Sequence, residues 1–246
     1  MKIIFRQKDN VILQVHTILN SYAQVFFSDN KLFGFILLLI TFVDKYAGIY
    51  GLVSVLTTIG IAHFLGFSPN KISKGYYGFN SLLAGLGLGI YFQPGLILLL
   101  VVIMAGIFTL FISVALEGIL GKYGLPYLSM PFVLSLWAFM LASRDFQALG
   151  LSERGIYTLN EIYRLGGFRA VRFYSWWAEL GLPPAVRSYF LSLGAILFQQ
   201  NVFAGLLMAI GLLIYSRIAF SLSLLGFFTA FLFYKLIWAS FTEVGY

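Results

Sequence analysis

The sequence predicts an all-α membrane protein, and its composition and hydropathy carry this prediction. Of the 246 residues, 60% are hydrophobic and only 10% are charged, with a mean hydropathy of +0.91. Ordinary soluble domains are about 25% charged, so a globule of this composition could not cover its surface with polar groups. In lipid the backbone must satisfy its own hydrogen bonds, and long apolar helices do so.

The charged residues restrict the possible partners and chemistry. The 16 Lys and Arg exceed the 9 Asp and Glu, which gives a net charge of +7. In membrane proteins such an excess usually lies in loops that face the anionic leaflet. No basic stripe is dense enough to predict binding to nucleic acid. Because the sequence contains no cysteine, disulfides, thiolate metal sites and a cysteine nucleophile are excluded.

The apolar runs give the order of the helices. Residues 11–28 are amphipathic and too polar for a plain span, so we predict a short helix at about 14–28. Apolar runs follow at about 33–43, 47–66, 76–92, 97–120, 125–142, 203–214 and 219–240. A helix needs about 20 apolar residues to cross a bilayer. The run at 33–43 therefore starts earlier, tilts, or crosses only part of the way.

The second half of the chain resembles its beginning. The aligned pairs are Ser21 with Ser192, Phe27 with Phe198, Asn30 with Asn201, and Gly34 with Gly205. We predict a first transmembrane repeat over 1–142, a linker with interfacial segments over 143–185, and the start of a second repeat over 186–246. Repeats with an odd number of spans are inverted in the membrane, as in many transporters. We expect the chain to be a fragment, or one domain of a longer protein.

Two motifs combine glycine or proline with aromatic residues. In GYYGFN, which precedes LLAGLGLG, Phe79 and Leu83 are four residues apart and share one helix face. The glycines allow another backbone to approach closely, and plain helix packing is the explanation we favour for this motif taken alone. In LPYLSMPF, Pro131 cannot donate to the carbonyl of Tyr127, and the Ser129 hydroxyl adds a second acceptor. A kinked helix start is the alternative to a pore lining here.

The amphipathic first helix carries Gln24 beside Phe26 and Phe27. A partly buried glutamine needs hydrogen-bond partners or a polar path, although the helix could instead lie on the membrane interface. Together with the two motifs, it suggests aromatic walls that strip water from a flat solute, and a few oxygens that replace the lost hydrogen bonds. Because no charge lies on this path, the solute should be neutral and its flow downhill.

These residues resemble the urea transporter family. Its repeats carry a Gly-Tyr-x-Gly-Phe-Asn stretch and a Leu-Pro-x-x-Thr-x-Pro-Phe signature, which reads LPYLSMPF here with Ser129 in place of threonine. The segment SYAQVFFSDN is similar to the family's pore helix, which has Gln-Val-Phe followed by Asn-Pro. In this sequence Asn30 is followed by Lys31, so the proline is missing.

The resemblance implies a passive urea channel with an aromatic-lined slot. Each subunit would have two inverted halves of five spans plus a short pore helix, the second half incomplete here, and would assemble as a homotrimer in the cell membrane as a multi-pass protein. Gln24 would bind urea, and Ser129 would offer its oxygen at the constriction. The expected urea-binding and pore residues are Gln24, Val25, Phe27, Phe79, Leu83, Ser129 and Phe198. One departure is Ala195, which aligns with Gln24 where the family places a second acidic or amide residue.

The sequence also bears on other classes of function. The nine acids are scattered, His16 and His63 lack metal-binding spacing, and no catalytic motif occurs, so we predict no enzyme, no metal and no cofactor. A channel for another small neutral solute, such as a short amide, ammonia or water, keeps the same fold. A membrane anchor that transports nothing and carries a further domain is the alternative from another class.

Overall fold

A computed structural model describes residues 14–143, 149–152, 167–169, 172, 175 and 181–242, with side chains as far as residue 237. Most of the predicted linker, including its interfacial segments, lies outside the described residues. The described helices are α1 (Gln14–Phe26, ending in a 3-10 turn), α2 (Lys31–Thr41), α3 (Lys45–Phe64), α4 (Pro69–Ser73), α5 (Gly78–Tyr91), α6 (Leu96–Leu120), α7 (Met130–Ala142), α8 (Pro184–Ala195), α9 (Val202–Tyr215) and α10 (Arg217–Thr242).

Three of the described helices are long and apolar enough to cross a bilayer, namely those over Lys45–Phe64, Leu96–Tyr123 and Arg217–Ile237. Helices α1 and α2 pass the same test as a pair, but they meet at an angle of 84°. Helices α5, α7 and α9 are apolar and shorter, with 13 or 14 residues each. The apolar runs of the sequence thus coincide with helices, whereas the number of complete spans per repeat stays a prediction.

Small residues bring α3, α5 and α6 together. A methyl group added at Gly85 of α5 would lie 2.7 Å from the carbonyl oxygen of Tyr50 and 2.6 Å from Cβ of Ser54 on α3. The Thr58 hydroxyl on α3 donates a 3.1 Å hydrogen bond to the carbonyl of Gly106 on α6. The close backbone approach predicted from the glycines of α5 is therefore confirmed, and α5 becomes the buried centre of the bundle.

A tight elbow, residues 24–30, joins α1 to α2. Phe27 adopts a left-handed backbone conformation with φ of 54°, which costs a non-glycine residue about 1–3 kcal/mol. The elbow recovers its backbone hydrogen bonds, because the N–H of Ser28 donates to the carbonyl of Ala23 over 3.2 Å. The side chain of Asn30 accepts from the first N–H groups of α2 and caps that helix. Gly34 then lets α2 lie against the carbonyl of Leu19.

A second elbow, residues 195–201, joins α8 to α9 and has the same left-handed phenylalanine, capping asparagine and closely packed glycine. Phe198 is left-handed with φ of 60°, and Asn201 caps α9 by accepting from the N–H of Phe203 over 2.8 Å. Gly205 lies against the carbonyl of Phe190. Three of the pairs aligned in the sequence, Phe27 with Phe198, Asn30 with Asn201, and Gly34 with Gly205, thus occupy matching places in or next to the two elbows.

The two elbows belong to one packed unit. Helices α2 and α9 lie side by side, and the rings of Phe33 and Tyr215 stack with their centroids 5.0 Å apart. The buried side chain of Gln199 accepts from the N–H of Asp44 over 3.1 Å, so the second elbow contacts the end of α2 directly.

We expect Gly34→Ala to destabilise the protein by about 1–3 kcal/mol, because the new methyl group would overlap the Leu19 carbonyl at a close helix crossing. The measurement is thermal unfolding of the purified protein in detergent. Gly60→Ala is the matched control, since no atom beyond the neighbouring backbone of its own helix lies within 4 Å of its added methyl group. Equal stability of the two variants would contradict the proposed role of the crossing.

Candidate functional site

One face of α5 forms the wall along which the candidate site is built. Phe79, Leu83 and Gly87 follow one another at intervals of four residues, so they form a single stripe. At 1.5 Å per residue the stripe is about 12 Å long. Phe79 and Leu83 are only 5% and 7% exposed, which shows that neighbouring elements cover most of this face.

Aromatic rings gather at the Phe79 end of the stripe. Phe27, from the first elbow, meets the Phe79 ring edge-on with the centroids 6.3 Å apart. Phe79 also stacks against Tyr127, with centroids 6.4 Å apart and an angle of 19° between the rings. Phe27 remains 62% exposed, so one flat ring is free to contact another molecule.

The Tyr127 ring is fixed by its own hydroxyl. That hydroxyl donates a 3.1 Å hydrogen bond to the carbonyl of Tyr76. Burial raises the pKa of Tyr127, and the nearby Glu117 carboxylate adds to the effect, so the phenol stays protonated and remains a donor.

The other end of the stripe meets the second elbow. A methyl group added at Gly87 would lie 3.3 Å from Cζ of Phe198 and 3.1 Å from the Leu136 side chain of α7. Phe198 and Phe132, also on α7, meet edge-on at 5.9 Å. The stripe of α5 therefore runs from the aromatic residue of one elbow to the aromatic residue of the other, beside α7.

Asn80 connects α5 to the segment that leads into α7. It is fully buried, its amide donates to the carbonyl of Leu128 over 3.1 Å, and its side-chain oxygen accepts from the N–H of Phe132 over 3.3 Å. Leu128 adopts a left-handed conformation with φ of 47°, and Ser129 follows as the exposed N-terminal cap residue of α7. Asn80 thus holds the turn that presents the Ser129 hydroxyl to its surroundings.

The expectation that Pro131 leaves the carbonyl of Tyr127 without a partner is wrong. The chain turns before α7 begins at Met130, and the N–H of Met130 donates to the Tyr127 carbonyl over 3.1 Å. The missing N–H of Pro131 therefore leaves no gap there, because proline is tolerated in the first turn of a helix.

Gln24 lies in the 3-10 turn that ends α1. It is 4% exposed, and its Nε2 donates a 2.8 Å hydrogen bond to Oδ1 of Asp29. Val25 is half-buried against the main apolar core. Asn80, Tyr127 and Asp29 are absent from the predicted site, although the first two lie in the motifs that predicted their neighbours.

One ion pair lies near this region. Nζ of Lys71 lies 2.6 Å from Oε1 of Glu117, near the end of α6. This hydrogen bond raises the pKa of Lys71, so the ammonium stays charged beside the carboxylate. Within the described ranges, no three side chains of the His, Asp and Glu types come together to hold a metal ion.

The sequence as a whole matches the model of one protein family. The model described as Urea transporter matches residues 15–246, which is nearly the whole chain and includes both elbows, α5 and α7. The chain belongs to the urea transporter family. Its members are transporters rather than enzymes, and family membership together with the apolar helices makes this chain a membrane protein.

We expect Asn80→Leu to destabilise the protein by at least about 2 kcal/mol. The change leaves the carbonyl of Leu128 and the N–H of Phe132 without their partner, and each unsatisfied buried group costs about 1–3 kcal/mol. Thermal unfolding in detergent measures the effect. Asn70→Leu, at an exposed position of α4, is the matched control, and a similar loss in both variants would contradict this role for Asn80.

Proposed function

We propose that this protein is a channel that carries urea passively across the membrane through an aromatic-lined slot. The observation that supports the proposal most is the stripe on α5, which has Phe27 at one end and Phe198 at the other. A flat molecule can slide along such aromatic and aliphatic surfaces while it sheds water. The predicted pore residues Leu83 and Val25 would complete the apolar lining.

Polar atoms beside the stripe would replace the solute's lost hydrogen bonds. Urea is rich in N–H donors, and a desolvated donor without a partner is costly. Gln24 lies three residues before Phe27, and the exposed hydroxyl of Ser129 lies between Tyr127 and Phe132. Both side chains offer an oxygen, and both are uncharged. Such a path favours a small neutral solute and gives no means of driving it against its gradient.

The wider assembly follows from family membership as a further proposal. We place the protein in the cell membrane as a multi-pass homotrimer, with each subunit built from two inverted halves. The matched elbows, with left-handed Phe27 and Phe198 and the capping residues Asn30 and Asn201, support the two-half plan. Cross-linking in native membranes, followed by separation of the products by mass, tests the number of subunits.

A second candidate keeps the pathway and changes the solute. Ala195 stands in the second elbow where Gln24 stands in the first, so one end of the stripe lacks this amide. A shorter amide or ammonia would need fewer hydrogen bonds than urea. Comparison of the permeabilities to urea, formamide, ammonia and water in the same vesicles separates these solutes.

We expect Gln24→Ala and Ser129→Val each to slow urea flux about two- to tenfold, the effect of one lost hydrogen bond at the barrier. Stopped-flow light scattering of proteoliposomes measures the flux. Gln200→Ala and Ser221→Val remove the same groups at exposed positions and serve as controls.

The outcomes separate the candidates. Unchanged flux in both Gln24→Ala and Ser129→Val would remove them from the pathway. A folded wild-type protein that conducts none of the four solutes would contradict the channel and favour a membrane anchor.

A further inference from the structure

The side-chain amide of Gln24, at the start of the first elbow, is hydrogen-bonded to a residue near the end of the same elbow. Its Nε2 donates a 2.8 Å hydrogen bond to Oδ1 of Asp29, five residues further along the chain. Gln24 is buried, whereas Asp29 is exposed and able to remain hydrated. The carboxylate thus reaches a buried amide without being buried itself, which avoids the cost of desolvating a charge.

The chemistry of Asp29 fixes the direction of the amide. An ionised carboxylate only accepts hydrogen bonds, while the glutamine amide has donors on its nitrogen and an acceptor on its oxygen. At 2.8 Å from Oδ1 of Asp29, the amide must present Nε2, because two acceptor oxygens at that distance would repel. Nitrogen and oxygen occupy different corners of a trigonal carbon, so Oε1 of Gln24 is directed away from Asp29.

The backbone of the elbow fixes the position of Asp29. The Ser28 hydroxyl accepts from the N–H of Asn30 over 3.0 Å, and the Asn30 side chain caps α2. Asp29 lies between these two anchored residues. Its side chain therefore starts from a rigid backbone, and little conformational entropy is lost when it holds the amide.

The second elbow shows that the turn forms without this pair. Ala195 stands in the place of Gln24, and Gln200 stands in the place of Asp29. The N–H of Phe198 still donates to the carbonyl of Ala195 over 2.9 Å, as the N–H of Phe27 does to the carbonyl of Gln24 over 3.0 Å. The Gln24–Asp29 hydrogen bond is therefore not required for the shape of the elbow.

We propose that Asp29 is a positioning residue that locks the Gln24 amide with its oxygen available to the solute. The end of the stripe at the first elbow would then favour solutes that donate N–H groups, because the oriented Gln24 amide presents its oxygen as an acceptor and turns its nitrogen towards Asp29. This inference rests on the proposed urea pathway and adds to it a residue that sets the preference for N–H donors.

The test compares three proteins in proteoliposomes: wild type, Asp29→Asn, and the double variant Gln24→Glu with Asp29→Asn. An asparagine at 29 can both donate and accept, so Gln24 is free to turn. We expect the half-saturation concentration for urea to rise about two- to tenfold in Asp29→Asn, with less change in the maximal flux. In the double variant, assayed at a pH high enough to keep the new glutamate ionised, residue 24 can only accept and again offers a fixed acceptor. We expect its half-saturation concentration to return most of the way to the wild-type value.

Controls separate positioning from folding and from the proposed function. Gln200→Ala changes the equivalent place of the second elbow and should leave urea flux unaltered. The melting temperature of Asp29→Asn should stay near that of wild type, since the second elbow folds without the pair. An unchanged half-saturation concentration in Asp29→Asn, or no recovery in the double variant, would overturn this inference alone. Absence of urea flux in the wild type would overturn the proposed function and this inference with it.

Discussion

The structure depends on how a helix can stop and turn inside an apolar bundle. A helix that ends leaves carbonyl groups without partners, and lipid offers none. The first elbow solves this over a few residues, with Phe27 left-handed, a hydrogen bond from Ser28 back to Ala23, and Asn30 at the start of α2. Because the chain turns there, Phe27 reaches Phe79, and Gln24 is held at the turn rather than within a continuous helix.

The close packing of α3, α5 and α6 fixes the position of the α5 stripe that the first elbow contacts. Gly85 lets α5 lie close against α3. The bulky side chains of Phe79 and Leu83 lie on another face of α5, along the stripe that begins at Phe79. Asn80 then ties this helix to the turn before α7 through two hydrogen bonds. These bonds, of 3.1 and 3.3 Å, satisfy the buried Asn80 side chain and hold the wall to the segment before α7.

Much of the fold could be predicted from the sequence, because apolar length and turn residues act locally. The run at about 203–214 corresponds to α9, and Gly85 marks a close helix crossing. The contacts of Asn80 with Leu128 and Phe132 join residues about 50 positions apart, and no local pattern specifies them. The expectation of an unpaired Tyr127 carbonyl is wrong because this carbonyl lies in a turn. There Met130 supplies the N–H that a helix with Pro131 would lack.

The two elbows share a shape but not a chemistry, since one carries Gln24 and the other Ala195. Unequal ends cannot give a passive pathway a preferred direction of net flow. At equal concentrations on both sides detailed balance requires zero net movement, so the ratio of maximal rate to half-saturation concentration is the same in both directions. In the proposed channel, the difference between the elbows would therefore change the half-saturation concentration and, in proportion, the maximal rate of each direction, while the concentrations on the two sides alone would set the direction of net flow.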